Sequence, residues 1–279
     1  MEKGGFLAES AESTNNEVLL ELEDLHMSFG KVSALEGVSL KVKKGEIHSV
    51  IGPNGAGKTV MMNCINGLYH PQKGTIRFKG QTINPLRPHE RSKMGIARTF
   101  QKVEVFGGMT VLDNIRLGRH NHYRSGILSG ALYLGKTARE EIDHRAFIEE
   151  QIIDLLEIEH IRHKPVGMLP YGLQKRVELG RALALEPDLL ILDEPLAGLN
   201  LEEVEDMARF ILDVNEEKRW KVTCLLVEHD MGVVMDLSDR IFVLNFGRMI
   251  MDGTPKEVQS NPDVIKAYLG EEDLYATRR

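Results

Sequence analysis

Cysteine is scarce: the 279-residue chain holds 2, Cys64 and Cys224. Both stand in apolar-rich segments. That excludes a disulfide-stapled scaffold and points to buried thiols in a reducing compartment. A basic excess is also missing. The net charge is -7, which argues against a general nucleic-acid-binding surface. No apolar run reaches the roughly 20 residues of a membrane span. The nearest, GILSGALYLG from Gly126 to Gly135, is too short, so any work at a membrane needs a separate spanning protein. The opening stretch MEKGGFLAESAESTNNE lacks the apolar core of a signal peptide, and residues 1–17 read as a disordered tail. What is present is 42% hydrophobic and 28% charged, enough for the packed core of one large domain with a lobe.

Periodicity places the elements. VLLELEDLHMSF (Val18 to Phe29) and VSLKVKKGE alternate as half-exposed strands. IHSVIG is a short apolar run ending in Gly, a buried strand entering a turn. KTVMMNCINGLY reads as a helix with Met61, Cys64, Ile65 and Leu68 on one face, and TIRFKG as a strand. The middle is helical. VLDNIRLG is one helix. Thr137 to Glu157 is another, with apolar Ile142, Phe147, Ile148, Ile152, Ile153, Leu155 and Leu156. Residues 173–185 form a third, with Val177, Leu179, Ala182 and Leu183. Buried strands then alternate with helices: DLLILDEP, EEVEDMARFILDVNEEK, VTCLLVEHD, MGVVMDLSD, RIFVLN. That alternation implies a parallel sheet covered on both faces. TPKEVQSNPDVIKAYLG closes with two short helices, each opened by a capping residue and a Pro.

Two motifs carry chemistry. Gly52-Pro53-Asn54-Gly55-Ala56-Gly57-Lys58-Thr59 fits G-x-x-x-x-G-K-[ST] and lies between an expected strand and an expected helix, the context that this motif requires. Its glycines let several N–H groups turn toward a polyanion. The helix adds its positive end, where Val60 follows. Lys58 is expected to reach the β and γ phosphates of a nucleoside triphosphate, and the Thr59 hydroxyl to ligate Mg²⁺. The second motif is the acid pair Asp193 and Glu194 at the end of a buried strand. Asp193 is suited to hold Mg²⁺ through water, and Glu194 to take a proton from an attacking water. Adjacent strand residues point to opposite faces, so both acids serve one site only if the chain turns; Pro195 is the expected cause of that turn.

With these motifs in place, the chain resembles the ATP-binding subunits of ABC transporters from Val18 to Gly270. Leu169-Pro170-Tyr171-Gly172-Leu173 occupies the position of that family's Leu-Ser-Gly-Gly-Gln signature. Ala197-Gly198-Leu199-Asn200 is similar to the D-loop. The resemblance implies that Phe29 stacks on adenine and that Gln101, in RTFQ, contacts the metal and the catalytic site while linking it to the membrane partner. It also implies that His229, in VEHD, is the switch histidine, and that Tyr171 and Gly172 contact nucleotide. RPHERSKMGIARTFQKVEVFGGMTVLDNI, AGLNLEE, EHDMGVVMDLSDRI and SNPDVIKAYLG resemble more narrowly the Liv-type subunits of branched-chain amino acid importers.

The fold so implied is α/β: a P-loop NTPase (RecA-like) core with a mixed sheet, an N-terminal antiparallel β subdomain and an inserted α-helical subdomain. A single ATPase domain would run over 18–270, with the helical subdomain about 103–180 and a C-terminal tail over 271–279. Implied cofactors are ATP and Mg²⁺. Implied partners are integral membrane permease subunits, a second ATPase subunit (the same chain or a related one) and, indirectly, a periplasmic substrate-binding protein, with no nucleic acid. The implied location is the inner face of the plasma membrane, on the cytoplasmic side. Two other functions share the chemistry: an exporter-type ATPase subunit, and a soluble ABC ATPase of the Fe–S assembly type. A GTPase would want N-K-x-D, which is missing. The segment Gln101 to Ile115, with the Gly126–Gly135 stretch, is the expected docking face. Pro170 lacks the signature serine's hydroxyl, and Leu173 removes a second polar group, so a weakened donated site is expected.

Overall fold

The structure, a computed structural model, describes residues 17–122, 136–217 and 219–267. The Gly126–Gly135 stretch, most of the N-terminal tail and the C-terminal tail lie outside the described residues. Contacts divide the chain into two compact units, one formed by described residues of 1–88 and 221–279, the other by those of 89–220.

In the first unit, β1 (Val18–Phe29), β2 (Val32–Lys43), β4 (Lys73–Phe78) and β5 (Gln81–Thr82) form an antiparallel sheet in the order β2-β1-β4-β5. Alternation explains it. Leu20, Leu22, Leu25 and Met27 of β1 and Leu35, Val38, Leu40 and Val42 of β2 are buried, with more exposed residues between them. The same unit holds β3 (Ile47–Ile51), β8 (Thr223–Val227), β9 (Arg240–Asn245) and β10 (Arg248–Gly253), in the order β10-β9-β3-β8. β9, β3 and β8 run parallel, and β10 returns antiparallel on β9. All five residues of β3 and all five of β8 are buried, as in a sheet covered on both faces. Cys64 and Cys224 are buried free thiols, and burial pushes the Cys224 thiol up to about 12. Helix α1 (Lys58–Asn66) buries Met61, Cys64 and Ile65 as expected. Leu68 does not join that face: the helix ends at Gly67, which is left-handed at φ 83°, and Leu68 is exposed.

The second unit contains the parallel pair β6 (Ile96–Arg98) and β7 (Leu189–Asp193). Its helices include α3 (Val111–Gly118), α4 (Lys136–Ile148), α5 (Tyr171–Leu183) and α6 (Leu201–Glu216); α2 (Pro88–Lys93) stands at the sequence junction of the units. After α4 the chain widens into a π-helical turn, Glu149–Ile153, which buries Ile152 and Ile153. Ile142, expected on the apolar face, is 65% exposed. The first unit ends with α7 (Met231–Leu237), capped by Asp230, and α8 (Pro255–Ser260), opened by a Thr254–Glu257 capping box with Pro at the start. The short strands β5, β6 and β10 and helix α2 carry no strong periodic pattern and are found only in the structure. No described helix is long and apolar enough to cross a membrane.

Candidate active site

In the first unit, the loop from Gly52 to Gly57 leaves buried β3 and enters α1. Gly52 adopts φ 150° and Gly57 φ 106°, conformations that disfavour any side chain. Space forbids one as well. A Cβ on Gly52 would lie 1.9 Å from the Leu244 carbonyl oxygen, and one on Gly57 2.5 Å from that of Ala34. The loop is thus pressed onto neighbouring backbone and held by two bonds, Ala56 N–H to Pro53 O at 3.1 Å within it and Gly247 N–H to Ala56 O at 2.9 Å from outside it. The Lys58 side chain is buried and folds back across the loop, donating to the carbonyls of Gly52 and, at 3.2 Å, Pro53. Asn54, Gly55 and Thr59 are exposed, and Val60 is half-buried. A glycine-rich loop with a lysine across it, leading into a helix whose N-terminus has no side-chain cap, fits a polyphosphate.

Phe29 ends β1 and is 45% exposed. Its ring stands edge-on to Tyr69 at 5.3 Å between centroids. Tyr69 is an aromatic that sequence reading passed over, because one Tyr after a helix carries no signal. His229 follows β8, is exposed, and donates its backbone N–H to Glu228 at 3.1 Å. Glu228 is itself a buried acid.

In the second unit, Asp193 is the last residue of β7 and is buried. Glu194 follows in the left-handed region at φ 49°. The turn expected from Pro195 is therefore made by the backbone of Glu194 itself, and the bond from Ala197 N–H to Glu194 O at 3.2 Å closes it. That left-handed residue sends the two carboxylates to different partners. Asp193 pairs with Arg98 of β6 at 2.7 Å, both side chains nearly inaccessible. The Glu194 carboxylate accepts a bond of 2.6 Å from the Gln101 carboxamide. Two of the expected site residues, Gln101 and Glu194, are thus brought together across 93 positions of sequence.

The signature stretch forms the start of α5. Pro170 is its N-cap at φ −52° and ψ 153°, so the helix begins correctly without a hydroxyl. Tyr171 is exposed, whereas Gly172 is buried. Both press on the stretch after Glu194. A Cβ on Gly198 would lie 3.1 Å from the Tyr171 ring, and one on Gly172 only 2.3 Å from a Glu203 carboxylate oxygen. Farther along α5, Lys175 and Glu178 are buried; an interior helix position gives no chemical signal in the sequence. Burial pushes the Glu178 carboxyl above its usual range despite bonds from backbone N–H groups. The loop Phe106–Thr110 is knotted by buried Asn114, which accepts from Phe106 N–H at 2.9 Å and donates to the carbonyls of Phe106, Met109 and Thr110. That leaves Phe106 56% exposed, with Val103, Val105 and Met109 half-buried.

Comparison with known proteins bears on this geometry. Residues 35–197 match the family described as ABC transporter. Residues 248–273 match the family described as branched-chain amino acid ATP-binding cassette transporter. The chain is 41% identical to the high-affinity branched-chain amino acid transport ATP-binding protein BraF of Pseudomonas aeruginosa, over 91% of this chain and 98% of that protein. It is 42% identical to the corresponding protein LivG of Salmonella typhimurium, with the same two coverages of 91% and 98%. The crystal structure of the ADP conformation of an ATP-binding cassette of an ABC transporter superposes with a TM-score of 0.77 at 32% identity, covering 91% of this chain and 99% of that one.

Proposed function

The chain belongs to the ATP-binding subunits of ABC transporters and is an ATPase; from that premise we propose that it powers the uptake of branched-chain amino acids through separate membrane subunits. The observation that carries the cargo reading is the match of the C-terminal segment 248–273 to the branched-chain module. It favours this reading over an exporter or an Fe–S assembly ATPase. The test is reconstitution of the chain with its permease subunits and binding protein in vesicles. ATP-dependent leucine, isoleucine or valine accumulation is expected; accumulation of none of them, with ATP hydrolysis intact, sinks the cargo reading.

The hydrolytic step follows from the residues. Water attacks the γ-phosphorus, its oxygen forms the new bond and the bond to the β–γ bridging oxygen breaks, leaving ADP and phosphate. Glu194 takes the water's proton, and Gln101 orients the carboxylate that receives it. Lys58 exchanges its loop carbonyls for phosphate oxygens, while the Gly52–Thr59 amides hold the rest of the polyanion. Phe29 supplies a face for adenine, and His229 contacts the terminal phosphate. Thr59, Gln101 and Asp193 offer a hydroxyl, an amide carbonyl and a carboxylate. Such oxygen donors would suit Mg²⁺, and the Asp193 carboxylate would have to release Arg98 to serve as one. When bound, the ion neutralises charge developing on the phosphate oxygens.

Permease subunits are assigned to the segment Gln101–Ile115. Phe106 is held outward there by the Asn114 knot, on the same loop system as Gln101. Cross-linking from cysteine at Phe106 in intact membranes tests this; the absence of any membrane-subunit product counts against it. A second cassette, either another copy or a related chain, completes the working pair. The signature that this chain donates to it lacks one charge-assisted hydrogen bond at Pro170, of order 1.5–3 kcal/mol. Pro170→Ser in the assembled transporter is therefore expected to raise ATPase activity. No change, or a loss, ends the idea of unequal sites.

A further inference from the structure

Lys175 and Glu178 lie three residues apart on α5, so their side chains leave the helix on one side. Each is only 4% exposed. Neither belongs to the phosphate loop, the acid pair or the signature. Glu178 accepts the backbone N–H of Phe100 at 3.3 Å and of Glu104 at 3.4 Å, both on the same carboxylate oxygen. Those two residues bracket Gln101. Lys175 donates to the carbonyl oxygens of Glu194 at 2.8 Å and Pro195 at 2.9 Å. Those two carbonyls belong to the turn that carries Glu194. The circuit is closed by the bond of 2.6 Å from Gln101 to the Glu194 carboxylate.

One helix face thus grips both of the loops that meet at Glu194. Gln101, Lys102 and Glu104 of the first loop are exposed, and the Glu194 turn rests on a left-handed residue. Such loops keep a geometry only when groups outside them hold it. A carboxylate and an ammonium inside a protein are costly unless they are bonded, and each of these two bonds backbone groups of one of the two loops.

We propose that Glu178 and Lys175 are positioning residues of the ATPase, which together set the spacing between the Gln101 loop and the Glu194 turn. The inference rests on the reading of Glu194 as the proton acceptor. It adds that the signature helix, whose first turn begins at Pro170, moves Gln101 and Glu194 as a unit because both are tied to its next turn.

Amide hydrogen exchange on the full chain tests the positioning without needing hydrolysis, and ATPase kinetics of the assembled transporter test its consequence. Glu178→Ala is expected to speed exchange at Phe100 and Glu104 by about tenfold or more, the loss of roughly one hydrogen bond to a charged acceptor. It should lower kcat with little change in KM, since orientation rather than binding is lost. Glu178→Gln keeps an acceptor oxygen and should restore both readouts to near parental values. Lys175→Met should loosen the Ala197 amide, whose bond to Glu194 O closes the turn. Parental exchange in Glu178→Ala, or equal damage in Glu178→Ala and Glu178→Gln, overturns the proposal. A Lys175→Met chain that does not fold leaves the two Glu178 variants to decide. Failure of the Glu194 reading shows separately, as undiminished hydrolysis in Glu194→Gln with the exchange pattern intact.

Discussion

Between β3 and α1, the phosphate loop is shaped by glycine φ angles and one lysine, all within eight consecutive residues. Between β7 and α6, the acid turn is held by Gln101, Lys175 and a left-handed Glu194. The first loop's lysine bonds to its own carbonyls, and its glycines fit it against the backbone of Leu244 and Ala34. The second depends on side chains 93 and 19 positions away. The difference fits the role proposed for each. A loop that binds a polyanion needs many N–H groups, and every peptide bond supplies one. A turn that aims one carboxylate needs orientation, which only groups outside it can impose.

The comparison can be broken most severely at Glu194. Glu194→Gln keeps the shape and the contact with Gln101 but removes basicity. Hydrolysis should fall by the ~10²–10⁴ of a lost general base, with ATP binding retained. A variant that turns over ATP at close to the parent rate refutes the assignment. At the phosphate loop the sharper experiment is a pair. Gly52→Ala puts a methyl 1.9 Å from the Leu244 carbonyl oxygen. Nucleotide affinity should drop by roughly ten- to a hundredfold, the scale of backbone strain of 1–3 kcal/mol. Gly55→Ala, at φ 79° with nothing within 4 Å, carries only the left-handed penalty and should bind nucleotide better than Gly52→Ala. If the two titrate alike, steric pressure from β9 is not what shapes the loop.

The smallest effect concerns β3, the strand that leads into the first loop. His48 in β3 is fully buried. Its ring meets Glu46 at 3.0 Å and Asp252 at 3.4 Å, and Arg240 pairs with that same Asp252 at 2.9 Å. Burial opposes charge on the ring, but the Asp252 and Glu46 carboxylates outweigh it and raise its pKa. A raised folded value means that the protonated ring stabilises the fold. The contribution is complete below the ordinary imidazole value of 6.5 and fades as pH rises through the raised one. The Tm of the parent should therefore fall across that window more steeply than the Tm of His48→Gln. Parallel curves for the two would dismiss the effect.

Much of this site is legible from residue types in order. The phosphate motif announces itself because a tight loop against backbone needs Gly, and because Lys and Thr have defined partners. Asp193 and Glu194 stand out because two acids at the end of an apolar strand have few other uses. Lys175 and Glu178 were not legible, since inside an amphipathic helix they look like ordinary surface residues; only the fold buries them. Arg98 was hidden because β6 is three residues long, too short for any period. Leu68 and Ile142 misled for a related reason: helical spacing marks a face but not where the helix ends or what covers it.

The sequence by itself determined the local features: a Gly-rich loop between strand and helix, an acid pair at a strand end, and a helix capped by Pro170 with no need of a hydroxyl. These rest on local rules of glycine torsion, capping and alternation, which act over a few residues. Tertiary structure alone decided which distant groups hold those residues. Arg98 came to Asp193, Gln101 to Glu194, and one face of α5 to the Gln101 loop and the Glu194 turn, because hydrogen bonds between segments far apart in sequence form only where the packed core brings their donors and acceptors within about 3 Å of one another.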